Sequence, residues 1–162
     1  MIKLYRSSGP TIHYWETWAQ DDRSHIVHWG ELGTRGMSKT VKSTFLRKAQ
    51  HSVQKEIEER LRQGYQPLPG EDLAILMIEY AVAGFGTSAD LDKRHRLEQR
   101  MNETLGWTGL GTCDGGSIGS GSMEVCNFVV DFDLAKRVIE EDLAGTEFSD
   151  FVRIYDERRD KG

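Results

Sequence analysis

The chain has 162 residues, 38% of them hydrophobic and 29% charged, with 21 Lys/Arg against 26 Asp/Glu and a formal net charge of −5. That length allows one or two domains, and that composition excludes a fibrous or disordered chain in favour of a soluble globular one. No apolar run approaches the ~20 residues that span a bilayer; Met1 to Arg6 lack the apolar core of a signal peptide, and two cysteines, Cys113 and Cys126, fit free thiols in the cytoplasm.

Residues 2–6 read as a short strand, and Gly9-Pro10 as a turn. Residues 11–19 alternate, with Ile12, Tyr14 and Trp18 on one face and His13, Trp15 and Thr17 on the other. A polar loop at 20–24 leads to a third strand at 25–32, a turn at 33–36 and a fourth strand at 38–45. A helix over 46–63 follows, with Leu46, Ala49, Val53, Ile57 and Leu61 on one stripe and Gly64 just past its end. The first domain is therefore 1–66, an antiparallel sheet plus a helix. Pro67, Pro69 and Gly70 mark 67–71 as a linker.

The second domain, 72–162, opens on an apolar run at 73–82, a buried strand with helix as its competitor. Ser88 or Thr87 caps a charged helix over 89–105. Residues 107–113 and 123–131 read as two strands of a hairpin joined by the Gly/Ser-rich segment 114–122. Asp133 caps a second helix carrying Leu134, Ala135, Val138, Ile139 and Leu143 on its apolar stripe, and residues 148–155 form the last strand. The order βαββαβ is the ferredoxin-like pattern, so the whole chain is α+β.

Charge divides the same way. Residues 1–66 hold 11 Lys/Arg and 7 Asp/Glu, a balance of +4; residues 67–162 hold 10 and 19, a balance of −9. A basic half favours an anionic partner, and an acidic half repels one.

Trp29-Gly30, then Thr34-Arg35-Gly36, then Gly64-Tyr65 after the helix, resemble the WGR domain, a small sheet-plus-helix module. The DNA-contacting members of that family set the motif tryptophan against the sugar or strand end, with basic residues on the phosphates. The resemblance therefore implies a nucleic-acid site at Trp29, Gly30, Arg35, Lys39 and Lys42. An aromatic platform contributes ~1–3 kcal/mol per stacked base, and cations add salt-dependent affinity. The family's third motif residue is Arg; here it is Glu31, whose carboxylate repels a phosphate at the same place. Two other readings of Trp29 stand beside this one: packing on the domain's own helix, and contact with a protein.

Other clusters carry less. Segment 114–122 has four glycines but neither the Gly-Lys-Ser/Thr of a phosphate loop nor a nearby cation. It reads as a bulged connection whose surface, with Asp114, Ser117, Ile118 and Glu124, meets a protein partner. Cys113 and Cys126 face each other across that hairpin without the further ligands zinc needs. His13, His25 and His28 come from adjacent strands, which brings His13 and His25 near each other, but no spaced carboxylate or cysteine completes a metal set. No catalytic residue and no cofactor is expected. The functional expectation is a non-enzymatic protein whose first domain contacts nucleic acid or a nucleic-acid-associated protein. The alternative is an immunity-type inhibitor. Small acidic bacterial chains of that kind neutralise a basic partner through complementary charge.

Overall fold

The computed structural model describes residues 1–160. The chain divides into two compact units, Met1–Pro69 and a second that starts at Gly70.

In the first unit, β1 (Ile2–Ser8), β2 (Thr11–Asp21), β3 (Ser24–Glu31) and β4 (Met37–Lys42) form an antiparallel meander in the order β1-β2-β3-β4. Helix α1 (Ala49–Arg62) packs on one face. Strand alternation sends Leu4, Trp15 and Val27 into a core with Val53, Ile57 and Tyr65, against which Trp29 and Val41 pack. Each fully buried aliphatic side chain there contributes about 1.5–3 kcal/mol. The helix starts three residues later than its apolar period predicts. Leu46 precedes it and is 92% exposed, and Leu61 is also largely exposed, so only Ala49, Val53 and Ile57 of the expected stripe are buried. The expected loop at 20–24 shrinks to a tight turn because β2 runs on to Asp21 through a bulge.

α1 ends as its Gly64 foretells. Gly64 has φ +87°, its N–H donates to the Leu61 carbonyl at 3.1 Å, and the Tyr65 N–H donates to the Arg60 carbonyl at 3.0 Å. This pair of bonds is the Schellman closure. It drops Tyr65 into the core, with the Arg6 and Arg60 guanidinium groups 5.0 and 5.7 Å from its ring centre. Gln66 then bridges back to Tyr5 on β1.

In the second unit the elements are β5 (Ala74–Ala81), α2 (Ser88–Trp107), β6 (Gly111–Gly119), β7 (Ser122–Val129), α3 (Phe132–Leu143), β8 (Arg153–Asp156) and the short α4 (Glu157–Asp160). The antiparallel sheet has the order β6-β7-β5-β8, the ferredoxin-like arrangement. The run at 73–82 is a strand, and α2 begins in a full capping box between Thr87 and Asp90. Four expectations change. Trp107 closes α2 instead of opening a strand. The Gly/Ser-rich segment is not a loop: residues 114–119 continue β6 past a bulge between Cys113 and Gly115, and the hairpin turns at Ser120 and Gly121, both at positive φ. The last strand starts at Arg153, and the α3 cap is Asp131, whose carboxylate accepts from Leu134 N at 2.9 Å.

Among the described residues, no helix is long and apolar enough to cross a membrane.

Candidate functional site

The turn between β3 and β4 is held from below. His28, on the face of the sheet opposite α1, is 1% exposed, with Tyr14 at 2% and Glu16 at 4% beside it on β2. His28 Nδ1 lies 2.7 Å from Glu16 Oε1, and Lys3 Nζ lies 3.4 Å from Glu16 Oε2. His28 Nε2 lies 2.7 Å from the Arg35 carbonyl and 3.0 Å from the Tyr14 hydroxyl. The carbonyl can only accept, so Nε2 carries a hydrogen directed at it. The Tyr14 hydroxyl donates to the Thr34 carbonyl at 3.0 Å. Burial, reinforced by the Glu16 carboxylate, pushes the Tyr14 phenol well above its ordinary range, so it stays a donor. A buried polar group left without a partner costs about 1–3 kcal/mol, and this network satisfies its members by gripping two successive backbone carbonyls of the turn.

Two glycines let the turn sit that close. A Cβ on Gly36, at φ +60°, would stand 2.2 Å from the Trp29 carbonyl oxygen and 2.4 Å from the Tyr14 hydroxyl; one on Gly30 would stand 2.8 Å from the Gly36 Cα. The turn itself closes through Glu31, whose carbonyl accepts from Thr34 N at 3.0 Å and from Thr34 Oγ1 at 2.8 Å.

Trp29 follows His28 on β3, so its ring lies on the opposite, helix-bearing face. It is half-buried against the core, with Lys39 Nζ 5.9 Å from the ring centre. Lys39 also pairs with Glu56 of α1 at 2.8 Å. Trp29 therefore packs on the core it shares with α1 while remaining half-exposed.

Residues 8–72 match the model of the WGR domain family.

The second unit matches no family model, and the chain as a whole matches no curated protein and no solved structure. Within the WGR unit Gly30 and Gly36 pack against each other over Tyr14, which leaves no room for a side chain at either motif position. The expected site residues do not share one face. Trp29 and Lys39 do. Arg35 hangs from a backbone held on the opposite face, by His28, and its side chain is exposed. Lys42 pairs with Ser24 at the far end of β4, five residues from the Trp29–Met37 pair, about 17 Å away. What unites Arg35, Lys39 and Lys42 is the β4 edge, which they flank on alternating sides. Glu31, where the family has Arg, is exposed and lies opposite His13 across the β2–β3 pair.

Sequence reasoning missed Glu16, Tyr14 and Lys3 as a set. The signal was a glutamate in the middle of a strand whose neighbours are otherwise aromatic or β-branched. It also placed His13 near His25. In the register His13 faces Glu31 and His25 faces Ala19, six positions or about 20 Å apart. No group of three or more metal-binding side chains occurs among the described residues.

The expected contact residues of the second unit scatter. Asp114 is exposed at the β6 bulge. Ser117 and Glu124 pair on the sheet face away from the helices, whereas Ile118, half-buried, pairs with Met123 on the other. Glu124 is already engaged, accepting from the Tyr155 hydroxyl at 2.7 Å. Cys113 pairs with Asn127 and Cys126 with Gly115, so the two cysteines point to opposite faces, which corrects their expected juxtaposition. Both are free, and burial pushes both thiols up, away from the reactive thiolate.

Proposed function

We propose that this chain is a non-enzymatic binding protein whose WGR unit contacts nucleic acid, or a protein bound to it, along the β4 edge. The observation that carries the reading is the half-open Trp29 ring beside Lys39, with a carboxylate-free stretch beginning just past Glu31. Residues 32–55 include six Lys/Arg and no Asp or Glu. A strand laid along that edge meets an aromatic face and a row of cations. Stacking contributes ~1–3 kcal/mol per base, and counterion release adds a term that salt removes. Glu31 opposes a phosphate beside Trp29 but not one further along β4, since exposed charges more than about 10 Å apart are largely screened at ordinary ionic strength.

The test is fluorescence anisotropy with end-labelled single- and double-stranded oligonucleotides across a salt series. The expected result is affinity that falls steeply with salt and drops about fivefold or more in Trp29→Ala. Absence of binding at low salt would remove direct nucleic-acid contact and leave only contact with a protein.

A second reading rests on the other unit. The cations of α2 are spent internally: Lys93 pairs with Asp150, Arg96 with Glu147 and Arg100 with Asp142. The surplus carboxylates therefore remain outward-facing charge, suited to a basic protein. Under that reading a stoichiometric complex with a basic protein co-purifies and dissociates at high salt.

A further inference from the structure

Two large apolar side chains stand in open solvent directly after β4. Phe45 is 104% exposed and Leu46 92%. They are held there by hydrogen bonds. Thr44 N donates to the Arg47 carbonyl at 2.8 Å, and Arg47 N donates back to Thr44 Oγ1 at 3.2 Å, closing a turn whose tip is Phe45-Leu46. The base of the turn is anchored as well. Ser43 N donates to the Arg23 carbonyl at 2.7 Å, and Ser43 Oγ accepts from Ala49 N at 2.9 Å at the start of α1. A fixed backbone therefore presents an aromatic ring that forgoes the burial usual for its size.

The surroundings are cationic. Arg23, Lys42, Arg47 and Lys48 are all exposed around the turn. Arg23, Lys42 and Phe45 wall a cleft of about 530 Å³. The one carboxylate in it, Asp21, is engaged by Arg23 N at 2.7 Å. From the Trp29–Met37 pair to the Ser24–Lys42 pair, β4 runs about 17 Å, with Lys39 and Lys42 along it. At ~3.4 Å per stacked nucleotide, that span holds about five nucleotides. Lys39 and Lys42 project from opposite faces of this one edge strand, with Trp29 near its start and Phe45 just past its end. A lipid surface calls for a broader apolar face than one Phe and one Leu.

We propose that the Phe45-Leu46 turn is a second contact of the WGR unit, stacking an unpaired base of a single-stranded nucleic acid whose phosphates lie along β4. The proposal rests on the reading of Trp29 as a nucleic-acid contact and extends it. Trp29 and Phe45 hold bases at the two ends of a short strand, and Lys42, Arg47 and Lys48 meet phosphates between and beside them. An exposed aromatic serves any base, because every base has a π-face, so the contact is insensitive to sequence.

The test uses the full chain and 5′-labelled thymidylate di-, hexa- and decanucleotides, with a blunt duplex for comparison, read by anisotropy at several salt concentrations. Affinity should rise steeply from the dinucleotide to the hexanucleotide and then level off. Phe45→Ala should weaken hexanucleotide binding about fivefold or more with the salt slope unchanged, and Phe45→Tyr should restore it. Arg47→Gln should instead lower the salt slope by about 0.7. Phe45 touches no core residue, so the thermal unfolding of Phe45→Ala should match the parent. If Phe45→Ala binds the hexanucleotide as tightly as the parent while Trp29→Ala does not, the turn has no role and the Trp29 reading survives. If the parent binds no oligonucleotide, both fall. Equal affinity for the blunt duplex would overturn the unpaired base. So would co-sedimentation with phosphatidylserine vesicles that Phe45→Ala abolishes, in the absence of oligonucleotide binding, which would make the turn a lipid contact.

Discussion

Gly36 is the residue on which the shape of the WGR turn depends. It combines a positive φ with a contact that leaves no room for a methyl group, because the Trp29 carbonyl and the Tyr14 hydroxyl both lie within 2.5 Å of where a Cβ would be. Gly9 offers the control: its φ is +62°, with nothing within 4 Å of the same position. Gly9→Ala should cost about 1 kcal/mol, the left-handed conformation alone. Gly36→Ala should cost about 2–4 kcal/mol, since overpacking is added to it. Urea unfolding of the two variants checks this, and equal losses would mean that the turn gives way freely. The motif glycines were visible in the sequence as a resemblance. Their reason was not, because it depends on Tyr14, some twenty residues earlier, placing its hydroxyl under the turn. Likewise, the order of residues shows Trp29 and Arg35 as near neighbours, whereas the network from Glu16 through His28 holds the Arg35 backbone on the side of the sheet away from the tryptophan ring.

Among the elements, α1 is the one whose ends decide most. Its C-terminus was legible: glycine after the last apolar turn, then tyrosine, is the local pattern of a Schellman closure with a buried residue behind it. The two residues should fail by different amounts. Gly64→Ala meets no closer neighbour than the Arg6 Cδ at 4.0 Å, so its loss should be about 1 kcal/mol, that of the positive φ. Tyr65→Ala empties a core position that is 7% exposed and should cost about 3 kcal/mol or more. Denaturant midpoints of the pair would show it, and a Tyr65→Ala loss no greater than that of Gly64→Ala would place Tyr65 outside the core. The N-terminus of α1 was misread, because Leu46 falls in phase with the apolar stripe although the chain there is committed to the Thr44–Arg47 turn. The glycines of β6 misled in the opposite direction. Gly and Ser favour loops on average, but pairing with β7 on one side and α2 on another holds them in a strand. The Asn102 side chain accepts from Cys113 N, and Arg94 donates to the Gly116 carbonyl. Tertiary contact overrides local propensity here.

For the whole molecule, the tyrosines set a boundary in pH. Burial raises the phenols of Tyr5, Tyr14 and Tyr80, with nearby carboxylates adding to it, and Tyr155 is pushed up to about 12 by burial and by its hydrogen bond to Glu124. In the unfolded chain each ionises near 10. The folded state thus holds these protons more tightly. Its stabilisation is complete below about pH 10 and is lost as pH rises toward the folded values. Unfolding midpoints should be flat with respect to these groups through neutral pH and fall above about 10, with the phenolate absorbance rising at the same transition. Phenolate absorbance that rises near 10 in the folded protein, before any loss of stability, would show that the rings are not held as described. The sequence by itself determined the α+β class, the βαββαβ order of the second unit, the division of charge and the WGR resemblance, because composition, period and turn residues are local properties. Only the tertiary structure decided which face each side chain occupies, that a glutamate and a histidine are buried under the WGR turn, and that Phe45 is left in solvent. Those outcomes depend on strand register and on contacts between residues far apart in the chain, which no local pattern encodes.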